Sequence, residues 1–395
     1  MEIGKGEEIF DNGFMGGIQS DAAGFNNIHL EAVVALATSL RHDTKCKVSE
    51  EFWHGTNNAA FKVTFEDGVE WICRVHEEAE NVSSTYTTAR LNSAVATMRY
   101  IKSNSSILVP TIHAHESRNN VPGLGSGYIM MEFIPGIEVD SSPGALSDED
   151  EIQVYEQLAR VTSELSQLRF HQIGPLYQAI SGEFYVGPFV TEQGQSFGPF
   201  DTSVEFFKFK VEGIRQRYSE WLKKDVRSDA DMERAHSLLS HYEKIAAQLS
   251  DYDDGNYPLA HGDLGTHNVL FVRDLTGNLQ ISGVLDWDSA HASAWPDFGQ
   301  FPALMEIQWP GFETREYSPF VLEHLLKIQT LFREGLRKYE SVRSNHSDRP
   351  LVSLVVDSPA VRVAEFILMY SDLDRYGVDC SMLLKYVRAW RKDWN

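Results

Sequence analysis

LAHGDLGTHNVLFV, residues 259–272, sets the reading of the whole chain. Apolar residues run into His261-Gly262-Asp263, four spacers follow, then Asn268, then a second apolar run. The pattern predicts a strand, a rigid loop and a second strand. A little further on, Ile281-Ser-Gly-Val-Leu-Asp286 is another strand-like run that ends in an acid, followed by Trp287-Asp288. Val269–Val272 and Ile281–Leu285 are therefore expected to pair as a hairpin through a Gly-containing turn. One Asp and one Asn stand five residues apart before the first strand of that hairpin, and two carboxylates follow the second.

This arrangement suits phosphoryl transfer. Such a transition state needs little covalent help; it needs an acceptor for the incoming hydroxyl proton and cations to screen the phosphate oxygens. Asp263 is the expected base or orienting group. Asn268 is expected to reach Mg²⁺ through its amide oxygen, and Asp286 to supply the hard carboxylate oxygen that Mg²⁺ prefers. Asp288 is a candidate third oxygen ligand. Each residue alone has a plainer reading, since an Asp in a turn is usually a cap or an Asx-turn. HGD, an Asn five later, an apolar hairpin and LDWD together are far more specific. His261 stands with Asp263 as a catalytic candidate, although a loop-bracing role suits it better than proton transfer. Asp297, in Trp295-Pro-Asp-Phe298, braces the loop or caps the next helix.

Working outward, residues 1–25 are Gly-rich and polar and read as a loose arm. Residues 27–41 have an Asn cap and helical spacing. Phe61, Val63 and Phe65 alternate with polar residues, Asp67-Gly68 is a hairpin turn, and Trp71, Cys73 and Val75 alternate on the returning strand with Arg74 on its other face. Residues 86–102 read as a helix, Val109-Pro110 leads to a short strand, and 128–139 is a buried strand ending at Pro135-Gly136. Ser147 opens a helix that carries Ile152, Tyr155, Leu158, Ala159, Thr162, Leu165 and Leu168. Residues 181–200 form a loop with short strands. Helical patterns recur at 202–224, 229–250, 318–340, 358–376 and 381–394. The expected division is an arm and helix (1–44), a β-rich part (45–139) and a mostly helical part (140–395).

Composition narrows the partners. Of 395 residues, 42% are hydrophobic and 23% charged, an ordinary globular balance. The formal charge of −22 repels nucleic acid and anionic lipid, so a small-molecule partner is expected and neither nucleic acid nor membrane. No apolar run is long enough to cross a membrane, and the first residues lack the pattern of a secretory signal. Cys46, Cys73 and Cys380 show no metal-like spacing, which fits a reducing, cytoplasmic setting.

HGDLGTHN, LDWD and the later WPDF resemble the aminoglycoside phosphotransferase and choline kinase-like family, and the long segment between residue 134 and HGD is similar to its fungal-type members. The resemblance covers about residues 45–376. It implies an α+β, bilobal protein-kinase-like fold, with a small antiparallel sheet lobe and a larger helical lobe. It implies ATP and Mg²⁺ as cofactors and an ATP-dependent O-phosphotransferase acting on a small hydroxylated molecule. Gly55-Thr-Asn-Asn58-Ala-Ala-Phe61 is similar to the family's phosphate loop, and Met131-Glu132-Phe133-Ile134 to the interlobe hinge, so Gly55, Asn58, Glu132 and Ile134 are implied nucleotide contacts.

Two departures stand out. Arg74 occupies the place of the usual lysine, and Ala94 the place of the helix Glu that pairs with it; no acid occurs between Val82 and His115. They favour an alternative reading, a non-catalytic kinase-like (pseudokinase) binding or regulatory protein. Retention of Asp263, Asn268 and Asp286 favours the enzyme. A protein kinase is disfavoured, because no APE-like segment follows LDWD. Cationic acceptors such as amino sugars or amino alcohols suit a carboxylate-rich cleft. Trp295, Trp309, Phe312 and Tyr317 are candidate cation–π walls, with Phe184, Tyr185 and Phe189 equally open.

Overall fold

Alternation in the sequence becomes one face of an antiparallel sheet. The computed structural model describes residues 28–55, 58–76, 82–118, 121–224, 240, 253–305, 318–343 and 352–356. Strands β1 (Cys46–His54), β2 (Asn58–Phe65), β3 (Glu70–His76), β4 (Ile112–Glu116) and β5 (Tyr128–Glu132) form a five-stranded sheet in the order β1-β2-β3-β5-β4. Phe61, Val63 and Phe65 of β2 and Trp71, Cys73 and Val75 of β3 are buried together with Val33 and Ala37 of helix α1 (Leu30–Leu40). With period-two alternation, Arg74 must then leave from the opposite face, towards the rest of the chain. Burial pushes the Cys73 thiol up to about 12, so this cysteine is inert packing.

Three expectations shift in detail. Helix α1 starts behind His29, which makes no side-chain cap bond, so the expected Asn cap is not what starts it. The strand of 128–139 stops at Glu132, well short of Pro135-Gly136. Its continuation is stitched to the hairpin instead, with Ile137 and Phe271 exchanging backbone bonds of 2.9 and 2.8 Å. Helix α1 also packs on the sheet rather than standing apart with the arm.

Helix α2 (Ser84–Asn104) is capped by Ser83 and buries Leu91, Ala94, Val95, Met98 and Ile101 in the larger core. Helix α3 (Asp148–Leu165) begins as read, with Ser147 Oγ accepting from the Asp150 N–H at 3.1 Å. Its buried face carries Tyr155, Leu158, Ala159 and Leu165, but Ile152 points to solvent. The segment that follows makes the short strands β6 (Arg169–Phe170), β7 (Leu176–Gln178), β8 (Phe184–Val186), β9 (Phe189–Val190) and β10 (Ser196–Phe197), then helix α4 (Ser203–Lys224).

Strand β11 (Tyr257–Ala260) brings the chain to the quoted loop, and β12 (Val269–Arg273) and β13 (Leu279–Val284) pair as the expected hairpin. A two-residue strand β14 (His291–Ala292) then pairs with β11, whose other edge holds β6. The chain goes on through a single turn, α5 (Trp295–Phe298), and two helices, α6 (Pro319–Arg343) and α7 (Val352–Val356). Leu325, Ile328, Phe332 and Leu336 of α6 join α3 in the larger core. The arm and the helices expected over 358–376 and 381–394 lie outside the described residues, as does all but residue 240 of the one over 229–250. Among the described residues, no helix is long and apolar enough to cross a membrane.

Candidate active site

Two bonds lock the quoted loop to the end of the hairpin, and a third braces the loop itself. The Leu285 N–H donates to Asn268 O at 2.8 Å. His261 Nε2–H donates to Leu285 O at 2.8 Å, and His261 Nδ1 accepts the Asp263 N–H at 3.3 Å. The residue before Asp286 is thus tied both to Asn268 and to the ring beside Asp263. Those two bonds fix His261 as the neutral Nε2–H tautomer. Its ring is buried against Trp287, 4.3 Å between centroids, and burial holds its pKa down. Of its two expected roles, the structure shows the brace.

Two left-handed corners make the close approach possible. Gly262 has φ +84°, and a Cβ there would lie 2.4 Å from Ser289 O. Asp286 has φ 58° and ψ 64°, a region that Asp tolerates better than most residues. Asp286 is therefore presented from a turn, half-exposed, instead of being buried at a strand end.

Asp263 is also half-exposed. Asn268 Nδ2 donates to both its backbone oxygen (2.8 Å) and its Oδ2 (3.1 Å). With the amide nitrogen so engaged, the Asn268 side-chain oxygen is directed elsewhere. His267 Nε2, four residues on from Asp263, meets Asp263 Oδ2 at 3.3 Å. That bond is the main reason the Asp263 carboxyl sits below, and the His267 ring above, its ordinary range. Asp263 is thus an ionised acceptor across the neutral pH range. Gly265 leaves room for the His267 ring, since a Cβ at residue 265 would approach it to 2.6 Å. His267 lies within the quoted stretch but is not among the expected site residues. Its i, i+4 spacing to Asp263 is the one signal in the sequence that marks it.

The pairing of Arg74 is the largest departure from expectation. Its guanidinium donates to Asp288 Oδ1 (2.8 Å) and Oδ2 (2.7 Å) and to Asp286 Oδ1 (2.9 Å). Arg90 Nε of α2 lies 3.4 Å from Asp288 Oδ2. So α2 supplies a cation where the family offers an acid, and Asp288 is the shared counter-ion. Burial acts against both charges, but the opposite charges around each together outweigh it, Asp288 and Asp286 for Arg74 and Arg74 and Arg90 for Asp288; the Asp288 carboxyl ends below, and Arg74 above, its usual value. Asp288 was expected as a metal oxygen. It is instead only 6% exposed at its side chain, with both oxygens accepting from Arg74.

Asn58 also reaches this cluster, its Nδ2 3.4 Å from Asp288 Oδ2 and its Oδ1 3.1 Å from His76 Nδ1. Gly55 donates its N–H to Asn58 O at 2.9 Å and so closes the tip between β1 and β2. At the expected hinge, the Glu132 N–H donates to Thr111 O at 2.9 Å and its carboxylate accepts from Thr111. That amide is therefore already engaged. Ile134 packs its side chain over Gly283 of β13, which leaves no space for a Cβ at residue 283.

A cavity of about 830 Å³ opens beside Asp263 and is walled by α2, β9, α4 and the loops around residues 289 and 300. Phe189, one of the open candidates, lines it; Phe184 instead packs on Tyr100 and Tyr185 on Tyr177. Trp295 is fully buried beneath Arg169 and is no wall. Trp309, Phe312 and Tyr317 lie outside the described residues. Asp297 braces, accepting from His291 Nε2 (3.1 Å) and Ser293 Oγ (2.5 Å). Arg90, Lys210 and Phe301 also line the cavity, and no motif in the sequence singles them out, whereas Phe298, which lines it too, closes the WPDF stretch.

The clavilactone A biosynthesis cluster protein Y of Ampulloclitocybe clavipes is 28% identical over 271 residues, covering 65% of this chain and 61% of that protein. A subtelomeric hrmA-associated cluster protein of Aspergillus fumigatus is 27% identical over 144 residues, covering 34% of this chain and 27% of that one. The chain thus spans about three-fifths and about a quarter of these curated relatives. A solved structure from Ralstonia eutropha JMP134, assigned as an aminoglycoside phosphotransferase, superposes with a TM-score of 0.51 at 15% identity, covering 92% of this chain and 95% of that one. That likeness shows the fold, the bilobal protein-kinase-like one. The model described as "phosphotransferase enzyme family" matches residues 49–309, a span that holds every residue of the site from Gly55 to Asp297. The chain belongs to the phosphotransferase enzyme family.

Proposed function

We propose that this protein is an ATP-dependent O-phosphotransferase that moves the γ-phosphoryl group to a hydroxyl of a small molecule. The observation that carries this is the convergence of Asp263, Asn268 and Asp286 on one braced loop, with Asp263 at the wall of the cavity. The lobes are assigned as 45–139 for the nucleotide and 140–395 for the acceptor, with 1–44 as arm and helix.

Asp263 accepts the hydroxyl proton and aims the oxygen. Arg74 and Arg90 hold Asp288 as a rigid, neutralised strut, and Arg74 also reaches the Asp286 carboxylate at the phosphate side. The turn at Gly55 and Asn58 covers the phosphates, and the backbone of Glu132 and Ile134 borders the adenine. Mg²⁺ suits the residues present. Asn268 turns its nitrogen to Asp263, which points its hard amide oxygen away from that bond, and Asp286 is half-exposed. Among the described residues, no group of three His, Cys, Asp or Glu could hold a metal alone. Mg²⁺ characteristically takes one or two protein oxygens and completes its shell with phosphates and water. When bound there, it would neutralise the charge on the phosphate oxygens.

Calorimetric titration of Mg·ATP into the protein tests the metal half of this reading. Binding is expected to need Mg²⁺ and to weaken by at least about tenfold in Asp286→Ala, as loss of a direct charged contact implies. Equal affinity in the variant would remove Asp286 from the site.

A further inference from the structure

The Asp263 carboxylate is held by one of its two oxygens. Both side-chain bonds to it go to Oδ2, from His267 Nε2 at 3.3 Å and from Asn268 Nδ2 at 3.1 Å. Among the described residues none goes to Oδ1, which leaves that oxygen for an incoming hydroxyl. Asp263 lines the cavity and His267 does not. What His267 does for the acceptor is therefore done through Asp263.

The His267 ring is built into its place. It belongs to the middle residue of a single tight helical turn, Thr266–Asn268. On one side of it Thr266 Oγ1 meets Ser141 Oγ at 3.3 Å, and on the other Asn268 is tied to the Asp263 backbone at 2.8 Å. An ionised carboxylate only accepts, so Nε2 carries the proton of that bond. The other nitrogen, Nδ1, is buried and has no hydrogen-bond partner among the described residues. A Cβ at Gly265 would come within 2.7 Å of it, so the glycine keeps that edge of the ring clear.

A second buried atom answers the first. Glu138 Oε2 is also buried without a partner among the described residues. Glu138 follows Ile137, whose backbone exchanges bonds with Phe271 of β12, the strand that leaves the loop. Burial pushes the Glu138 carboxyl up to about 7 while the His267 charge pulls it down, and Glu138 in turn helps to raise His267. Buried polar atoms are satisfied by protein or by ordered water, and one water shared by Oε2 and Nδ1 would serve both.

We propose that His267 is a positioning residue, which holds Asp263 by Oδ2 and turns Oδ1 to the acceptor hydroxyl, and that Glu138 steadies the ring at Nδ1 through a bridging water. This rests on the phosphotransferase reading and deepens it, by naming what aims the proton-accepting group.

His267→Gln and His267→Asn test it together, because a Gln amide nitrogen reaches the place of Nε2 and an Asn amide nitrogen only that of Nδ1. Steady-state ADP release is measured with a set of small alcohols, beside calorimetric affinity for Mg·ATP, on protein shown by tryptophan fluorescence to be folded. His267→Asn is expected to lower kcat by about thirtyfold and to leave the acceptor KM and the Mg·ATP affinity within about twofold. His267→Gln is expected to stay within about threefold of the wild-type kcat. Glu138→Met is expected to lower kcat by about fivefold alone and to have no further effect beside His267→Asn, since it acts through the ring. The proposal is overturned by equal kcat in His267→Gln and His267→Asn, by Mg·ATP affinity that falls as far as kcat, or by a Glu138→Met effect that is missing alone or persists beside His267→Asn. Wild-type protein that is saturated with Mg·ATP and releases no ADP is instead a failure of the phosphotransferase reading itself, and is seen before any variant is made.

Discussion

Asp263→Asn is expected to lower kcat by about a thousandfold, roughly 4 kcal/mol of barrier, while leaving the affinity for Mg·ATP within about twofold. The asymmetry follows from where Asp263 stands. Its carboxylate lines the acceptor cavity and is held ionised by His267 and Asn268. An amide there keeps an oxygen for Asn268 but cannot accept a proton from the incoming hydroxyl. Loss of a group used only in the transition state appears in kcat and not in ground-state binding. Steady-state ADP release, read beside calorimetric affinity, separates the two. A variant that turns over at the wild-type rate would remove Asp263 from the chemistry. A variant that loses nucleotide affinity to the same degree would make it a structural residue.

Asp288→Ala is expected to destabilise the fold by about 3 kcal/mol, because it takes from Arg74 and Arg90 the carboxylate they share in a buried setting and leaves Arg74 with Asp286 alone. Asp288→Asn, which keeps the shape and part of the hydrogen bonding, is expected to cost less. Urea unfolding followed by tryptophan fluorescence measures both. A metal-ligand role for Asp288 predicts the reverse, with stability intact and only Mg²⁺ dependence altered. The pH dependence has a definite sign. The Asp288 carboxyl lies below its ordinary value in the folded state, so its contribution is complete above the unfolded-state pKa of about 4 and is lost as pH falls through the folded value. Wild-type stability should therefore fall in acid more steeply than that of Asp288→Ala.

The fold was legible where side-chain periodicity is strong. Phe61, Val63 and Phe65 gave β2, the apolar runs around 270 and 283 gave the hairpin, and Ser147 marked the start of α3. The loop motif was legible because HGD, Asn268 and LDWD are close in sequence and their spacing is set by one hairpin. The partner of Arg74 was not. It comes from Asp288, 214 residues away, and no local pattern records a contact of that range. In α2 the place of the missing acid holds Ala94, and the charged residue that matters is Arg90, a second cation that shares Asp288 with Arg74. The same long-range pairing hides the surroundings of Asp288. A carboxylate beside a metal motif looks like a ligand until two arginines are seen on it. A count of carboxylates along the sequence cannot tell those that face a cavity unpaired from those that Arg74, Arg90 and His291 have already satisfied.

Ala94 bears on the pseudokinase alternative in the same way. Its place in α2 is fully buried in the larger core, and the ion pair it fails to supply is made by Asp286 and Asp288. The two departures in sequence thus form one alternative electrostatic arrangement, in which Arg74 is still anchored beside Asp286.

Phosphorus NMR of Mg·ATP incubated with the protein tests the central claim most directly, because it sees the β–γ bond itself. A set of small alcohols is supplied as acceptors, and water serves as the fallback. The account predicts growth of ADP resonances with a phosphomonoester or free phosphate, dependent on Mg²⁺ and absent in Asp263→Asn. ATP that stays intact in protein shown by calorimetry to be saturated with Mg·ATP would contradict it, and would make the chain a nucleotide-binding relative without the transfer step.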